Sequence, residues 1–268
     1  MRKALWIGVA ASPLATLYCL AAIVQAGSIY TGERAQRNLM VWGTLLTLCL
    51  VILIACSVIL LRTKVPKLNT STSMLEKSRE LTSWIATAMN TIHFPSDNRR
   101  RIAAACFAVV QEHHTAIVLL VDQGAASPAF SLARSVYEGY IRGAWLAYCA
   151  SDDQLASFMA GNEPPKQSEL IAALEKLPGY ESLILSRVRV ESWKALCDYA
   201  HIGSRMVTCW ITSESIEPNF QEAEINELLT FTGAIALVSA VDLCNIAENE
   251  SLAQKVLEKC KLFSWAKD

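Results

Sequence analysis

Two uncharged runs dominate the start of the chain. No Asp, Glu, Lys or Arg occurs across residues 4–32, a stretch of 29, or across residues 38–61, a stretch of 24. A helix crossing the hydrocarbon core of a bilayer needs about 20 mainly apolar residues. Residues 5–29 and 39–61 both reach that length, and the polar linker between them is short, so the pair reads as a two-helix transmembrane hairpin. The other reading of the first run is a signal peptide. Arg2 and Lys3 suit a charged leader, and Val24-Gln25-Ala26 has the small residues of a cleavage site. Against that, the run is far longer than the roughly 7–15 apolar residues of such a leader. With these two runs the chain is not an ordinary soluble enzyme.

Orientation follows from the positive charges beside the spans. Arg2, Lys3 and the α-amine precede the first span, Arg34 and Arg37 lie in the linker, and Arg62, Lys64 and Lys67 follow the second. The ends outweigh the linker, which places both termini in the cytoplasm of an inner membrane. Residues 62–268 are cytosolic whether or not the first run is cleaved. The expected organisation is a hairpin over residues 1–64, a linker over 65–72 containing Pro66, and an all-α cytosolic bundle over 73–268.

Gly8, Ser12, Ala15, Cys19, Ala22 and Ala26 recur at spacings of 4, 3, 4, 3 and 4 along the first span. Lipid gives helices little hydrophobic reason to associate, so small side chains that let backbones approach carry the contact. The stripe serves either packing against the second span or self-association between copies. A two-span hairpin encloses no pore, so conduction would need a homo-oligomer.

In the cytosolic part apolar residues recur with helical period. Leu81, Trp84, Ile85, Ala88, Met89 and Ile92 form one stripe. Asp97 is placed to cap a helix over 98–122, ended by Gly124. Ser127 and Pro128 suit the N-cap and first position of the next helix, running to about residue 150. Ser151 with Asp152 and Asp153 starts another, and Gly161 stops it. Pro164 and Pro165 break the chain. Further helices are expected over 166–177, 181–188, 192–212, 221–248 and 251–263, with uncharged 228–241 at the centre of the bundle. No alternating strands are evident.

The net charge of −1, with 53% hydrophobic and 18% charged residues and a mean hydropathy of +0.29, excludes disorder and a basic nucleic-acid-coating surface. Nine cysteines occur without a CxxC pair, which in a reducing cytosol makes them small apolar fillers. Only four histidines are present. His113 and His114 are adjacent, about 100° apart on a helix, and so cannot grip one metal. No metal or cofactor is expected, and no phosphate-loop, dinucleotide or nucleophile-elbow motif occurs.

Two stretches carry the candidate chemistry. Arg134, Glu138 and Arg142 stand at i, i+4 and i+8, hence on one helix face flanked by apolar residues. Such a face is either a structural Arg–Glu–Arg network or an anion site in which Glu138 holds one arginine and the other is left for phosphate or carboxylate. Lys194, Asp198, His201 and Arg205 follow at helical spacings of 4, 3 and 4. A histidine beside Asp and Arg serves as acid/base, as phosphate ligand, or as the partner of a buried carboxylate. One helical ribonuclease class, the HEPN bundles, places Arg before His, and here the nearest pair is reversed.

The motifs R-x-x-Y-E-x-x-x-R-x-x-W-L, from Arg134, and W-K-x-L-x-D-Y-x-H-x-G, from Trp193, resemble an uncharacterised bacterial family of all-helical domains, over residues 106–207. That family brings no activity with it. The two-span anchor ahead of such a domain is similar in architecture to Hailong-type membrane effectors of bacterial anti-phage defence. This second resemblance implies a homo-oligomeric channel controlled by a nucleotide or oligonucleotide, with a nucleotidyltransferase as partner. The expected ligand contacts are Arg134, Glu138, Arg142, Lys194, His201 and Arg205. The rival expectations are a membrane-tethered helical nuclease or other hydrolase, using His201 with Arg205 or Arg134 with Glu138, and a non-catalytic membrane scaffold.

Overall fold

The chain divides into two units, Met1–Pro66 and Lys67–Asp268. The computed structural model describes residues 72–90 and 92–264. The expected hairpin, with its Gly8, Ser12, Ala15, Cys19, Ala22 and Ala26 stripe, lies outside the described residues.

The described residues form helices joined by loops, with no strand among them beyond one isolated bridge between Ile211 and Ile216. The helices are α1 Thr72–Met89, α2 Asn98–Asp122, α3 Ala126–Tyr148, α4 Asp152–Met159, α5 Gln167–Leu174, α6 Ile184–Ala200, α7 Ser204–Thr208, α8 Glu222–Ile246 and α9 Glu250–Ser264.

Local signals set many of the boundaries. The Asp97 carboxylate accepts from the Arg100 N–H at 2.9 Å and starts α2. At the other end Gly124 has φ 73°, while its N–H and that of Ala125 return to Val121 and Leu120. That is a Schellman ending, which favours glycine. Ser151 and Gln154 form a reciprocal capping box at the start of α4. One expectation is displaced. Helix α3 begins at Ala126, so Ser127 is not its cap. The Ser127 hydroxyl instead accepts the Trp210 indole N–H at 2.6 Å. Pro128 still falls within the first turn, where a missing N–H breaks no helical bond.

Helices α2, α3 and α8 form the centre. Phe107, Val110 and Ile117 of α2 pack with Val136, Tyr137 and Ile141 of α3 and Ile225 and Leu229 of α8. Gly139 and Gly143 let α2 and α3 approach closely. A Cβ on Gly143 would lie 2.9 Å from the Phe107 ring, and one on Gly139 would lie 3.0 Å from Val110. A second cluster joins Leu81 and Ile85 of α1 to Ala236, Leu237 and Ala240 of α8 and Val256 of α9. Helices α2 and α8 are each long and apolar enough to cross a membrane. In this fold most of the apolar window of α8 is buried in the bundle, whereas α2 buries the smaller part of its own and leaves Val109 and Leu119 exposed.

Polar groups tie these helices. Gln111 donates to Ala236 O and Ser239 Oγ, both at 2.6 Å. His114 is fully buried, its Nδ1 3.1 Å from Thr232 Oγ1, and burial lowers its pKa to about 4. His113 stays nearer the surface, as their angular separation requires. Arg99 reaches from the start of α2 to the end of α3. It donates to Leu146 O at 3.0 Å and Ala150 O at 2.5 Å, and meets Asp152 at 2.6 Å. On α8, buried Asp242 accepts from the Tyr148 hydroxyl at 2.8 Å and the Tyr180 hydroxyl at 3.4 Å, with Tyr140 3.1 Å from Tyr180.

Candidate functional site

The i, i+4, i+8 face of α3 borders a cleft of about 480 Å³. Its other walls are residues 163–168, which end in the first turn of α5, and the Arg189–Trp193 face of α6. Two features hold α5 and α6 in place. Glu175, just after α5, accepts from Ser186 N at 2.8 Å and Ser186 Oγ at 2.5 Å. The Tyr137 hydroxyl of α3 donates to Leu185 O at 2.7 Å.

Arg134 is fully engaged. Its Nε and Nη2 lie 2.9 Å from Glu138 Oε1, and its Nη1 meets His201 Nε2. An arginine can only donate, so the His201 nitrogen facing it accepts. The guanidinium also sits 4.8 Å from the centre of the Trp193 ring, and that of Arg189 sits 5.6 Å from it. Trp193 therefore acts as a shelf for cations.

Arg142 and Arg189 differ from Arg134. Among the described residues neither has a carboxylate within ion-pair distance, and the Nε of each is buried without a hydrogen-bond partner. The thiol of Cys106 lies close enough to Arg142 to feel its charge. Burial raises that thiol's pKa and the guanidinium opposes the rise. Gln167 adds two more orphans, since its Oε1 and Nε2 are both buried and have no partner among the described residues. A buried polar group without a partner costs about 1–3 kcal/mol, and three of the cleft's side chains carry hydrogen-bonding capacity that no described residue meets. Arg134, Arg142, Arg189 and Lys166 face Glu138 and Glu163 across it, an excess of two positive charges.

The expected ligand contacts thus separate. Arg134, Glu138 and Arg142 line the cleft, and His201 joins them through Arg134. Lys194 lines an adjoining hollow that shares Ser168, Arg189 and Trp193 with the cleft. Arg205 does not share a helix face with Lys194 and His201. Helix α6 ends at Ala200, Ile202 turns left-handed at φ 56°, and Arg205 belongs to α7. Its guanidinium lies 5.9 Å from the Tyr199 ring centre instead. The turn is tight, because a Cβ on Gly203 would lie 2.6 Å from Asp198 Oδ1. The helical spacing of Lys194, Asp198, His201 and Arg205 therefore does not run along one helix, contrary to the helix expected over 192–212.

Lys166, Gln167 and Arg189 were not singled out from sequence. Arg189 stands at i, i+4 to Trp193, which was the one available signal. A larger hollow of about 690 Å³ runs along α2 past Ile102, Ala105, Cys106 and Val109. It is mostly apolar, with Arg101 its one cation. Among the described residues no three His, Cys, Asp or Glu side chains gather to hold a metal.

Fold and cleft together define a helical domain with an arginine-lined polar recess. The chain belongs to DUF6988, a family of unknown function, which it matches over residues 107–266, including every residue that lines the recess. No curated protein and no solved structure matches the chain.

Proposed function

We propose that this chain is a membrane-anchored sensor whose helical domain binds an anionic, nucleotide-type ligand in the Arg134–Arg142–Arg189 cleft. The observation that carries the reading is Arg142 with Arg189, two cations at one recess without carboxylate partners among the described residues. Arginine suits phosphate because its planar fork donates two parallel bonds. The cleft's two-charge excess matches a phosphate monoester, which carries about −1.5 to −2 at pH 7. The uncharged spans 5–29 and 39–61 supply the anchor in an inner membrane, with the helical domain in the cytosol. Self-association through the Gly8–Ala26 stripe makes the assembly a homo-oligomeric, ion-permeable effector of the anti-phage kind, gated by the ligand. A neighbouring nucleotidyltransferase is the partner that would supply it.

The test uses the full chain extracted in detergent. Phosphate-bearing ligands raise its unfolding temperature, and Arg142→Gln weakens binding by about 10- to 100-fold, the loss expected for a charge-assisted contact of roughly 1.5–3 kcal/mol. An unaltered affinity in Arg142→Gln and Arg189→Gln removes the cleft from consideration. On expression, the parent chain depolarises the membrane and a stripe variant such as Ala15→Leu does not. Unchanged potential in both cases removes the channel.

The Arg134–His201 contact favours one alternative, a tethered nuclease with His201 beside Arg134 and Glu138. RNA or DNA cleavage by the purified full chain, lost in His201→Ala, distinguishes it.

A further inference from the structure

Gln167 is the first residue of α5 and lines the same recess as Arg142 and Arg189. Its amide oxygen and amide nitrogen are both buried, and neither has a partner among the described residues. The two atoms differ in what they lack. Oε1 needs a donor and Nε2 needs an acceptor. A free phosphate dianion offers acceptors only and can satisfy just one of them. The edge of a nucleobase offers a donor beside an acceptor, the pattern that a glutamine amide meets with two bonds at once.

We infer that the cleft is built for a nucleoside phosphate, with the phosphate held by Arg142 and Arg189 and the base edge read by Gln167. This rests on the nucleotide-type reading above and adds the residue that reads the base and the way it does so. Trp193 is not the base platform, because the guanidinium groups of Arg134 and Arg189 already sit against its ring at 4.8 and 5.6 Å. In-plane recognition by an amide is what remains for a base in this recess. At about 480 Å³ the volume falls within the roughly 300–1,000 Å³ of small-ligand sites. The amide meets the base by rotating about its side-chain torsions, which exchanges two unmet atoms for two hydrogen bonds.

The experiment is calorimetric titration of the detergent-extracted full chain with AMP, GMP, CMP, UMP, ribose 5-phosphate and inorganic phosphate. At least one nucleotide is expected to bind about tenfold or more tightly than ribose 5-phosphate. Gln167→Met keeps the side-chain length and removes both polar atoms. It brings that nucleotide down to the affinity of ribose 5-phosphate and leaves ribose 5-phosphate itself unchanged. Its ligand-free unfolding temperature is no lower than the parent's, because it buries no orphaned amide. Gln167→Asn, too short to span the same contact, serves as the second variant and loses the same increment. Arg142→Gln weakens every phosphate alike. If ribose 5-phosphate equals all four nucleotides, or if the nucleotide preference survives in both Gln167 variants, the base-reading role is wrong and the anion site stands. If no phosphate binds the parent chain, the anion site falls and this inference falls with it.

Discussion

Asp242 offers a quantitative test of how the bundle is held. It is 5% exposed, its described hydrogen bonds come from tyrosine and Asn245 side chains, and no cation forms an ion pair with it among the described residues. Burial pushes its pKa up from 3.8 to about 6, with the bonds from Tyr148, Tyr140, Tyr180 and Asn245 pulling part of the way back. The neighbouring tyrosines respond in kind, their own pKa values raised first by burial and then by the carboxylate. A carboxyl with a higher pKa in the folded chain binds its proton more tightly when folded than when unfolded. Stability from this group is therefore highest below pH 4, falls as pH rises from about 4 to about 6, and is level above that. The shift of roughly two units corresponds to about 3 kcal/mol at 1.36 kcal/mol per unit. Asp242→Asn cannot ionise and still accepts from Tyr148. Unfolding midpoints of the full chain and the variant are measured in detergent from pH 4 to pH 8. The variant gains on the parent by about 3 kcal/mol across that range, or roughly 6–12 °C at about 2–4 °C per kcal/mol, with most of the gain complete by pH 6. Parallel curves for the two proteins would refute the reasoning.

Two further substitutions probe packing and capping. Gly143→Ala places a Cβ 2.9 Å from the Phe107 ring and 3.1 Å from the Cys106 Cβ. A loss of about 1–3 kcal/mol is expected in chemical unfolding, and an unchanged midpoint would mean that α2 and α3 are less tightly apposed. Ser151→Ala removes one half of the α4 capping box. It costs about 1 kcal/mol by the same measurement, without altering phosphate affinity.

Legibility followed the range of the forces involved. The bounds of α2, Asn98–Asp122, could be read because Asp97 and Gly124 act within a few residues of themselves. Ser127 suits an N-cap by its sequence, yet α3 starts two residues earlier than that implies, and the Ser127 hydroxyl accepts from Trp210, far along the chain. Expected helices over 181–188 and 192–212 are replaced by one continuous α6, Ile184–Ala200. Nothing between residues 188 and 192 breaks it, and the break comes at Ile202 and Gly203, where a left-handed residue precedes a close approach to Asp198. The α3 part of the cleft was legible because helical spacing alone aligns Arg134, Glu138 and Arg142. Gln167 has no such spacing, and for Arg189 the only helical signal is its i, i+4 relation to Trp193. The long-range packing that brings α5 and α6 against α3 places them there, and a lone glutamine has no spacing to betray it.

The reach of Arg99 has a mechanical consequence. The C-terminal end of α3 is strapped to the opening turn of α2 by one guanidinium, while the glycine turn at residue 124 joins their opposite ends. Sliding or fraying of one helix against the other would break these bonds. Gln111 and His114 of α2 are in turn pinned to α8, so the strap at one end and the turn at the other tie both helices to the central helix as well as to each other.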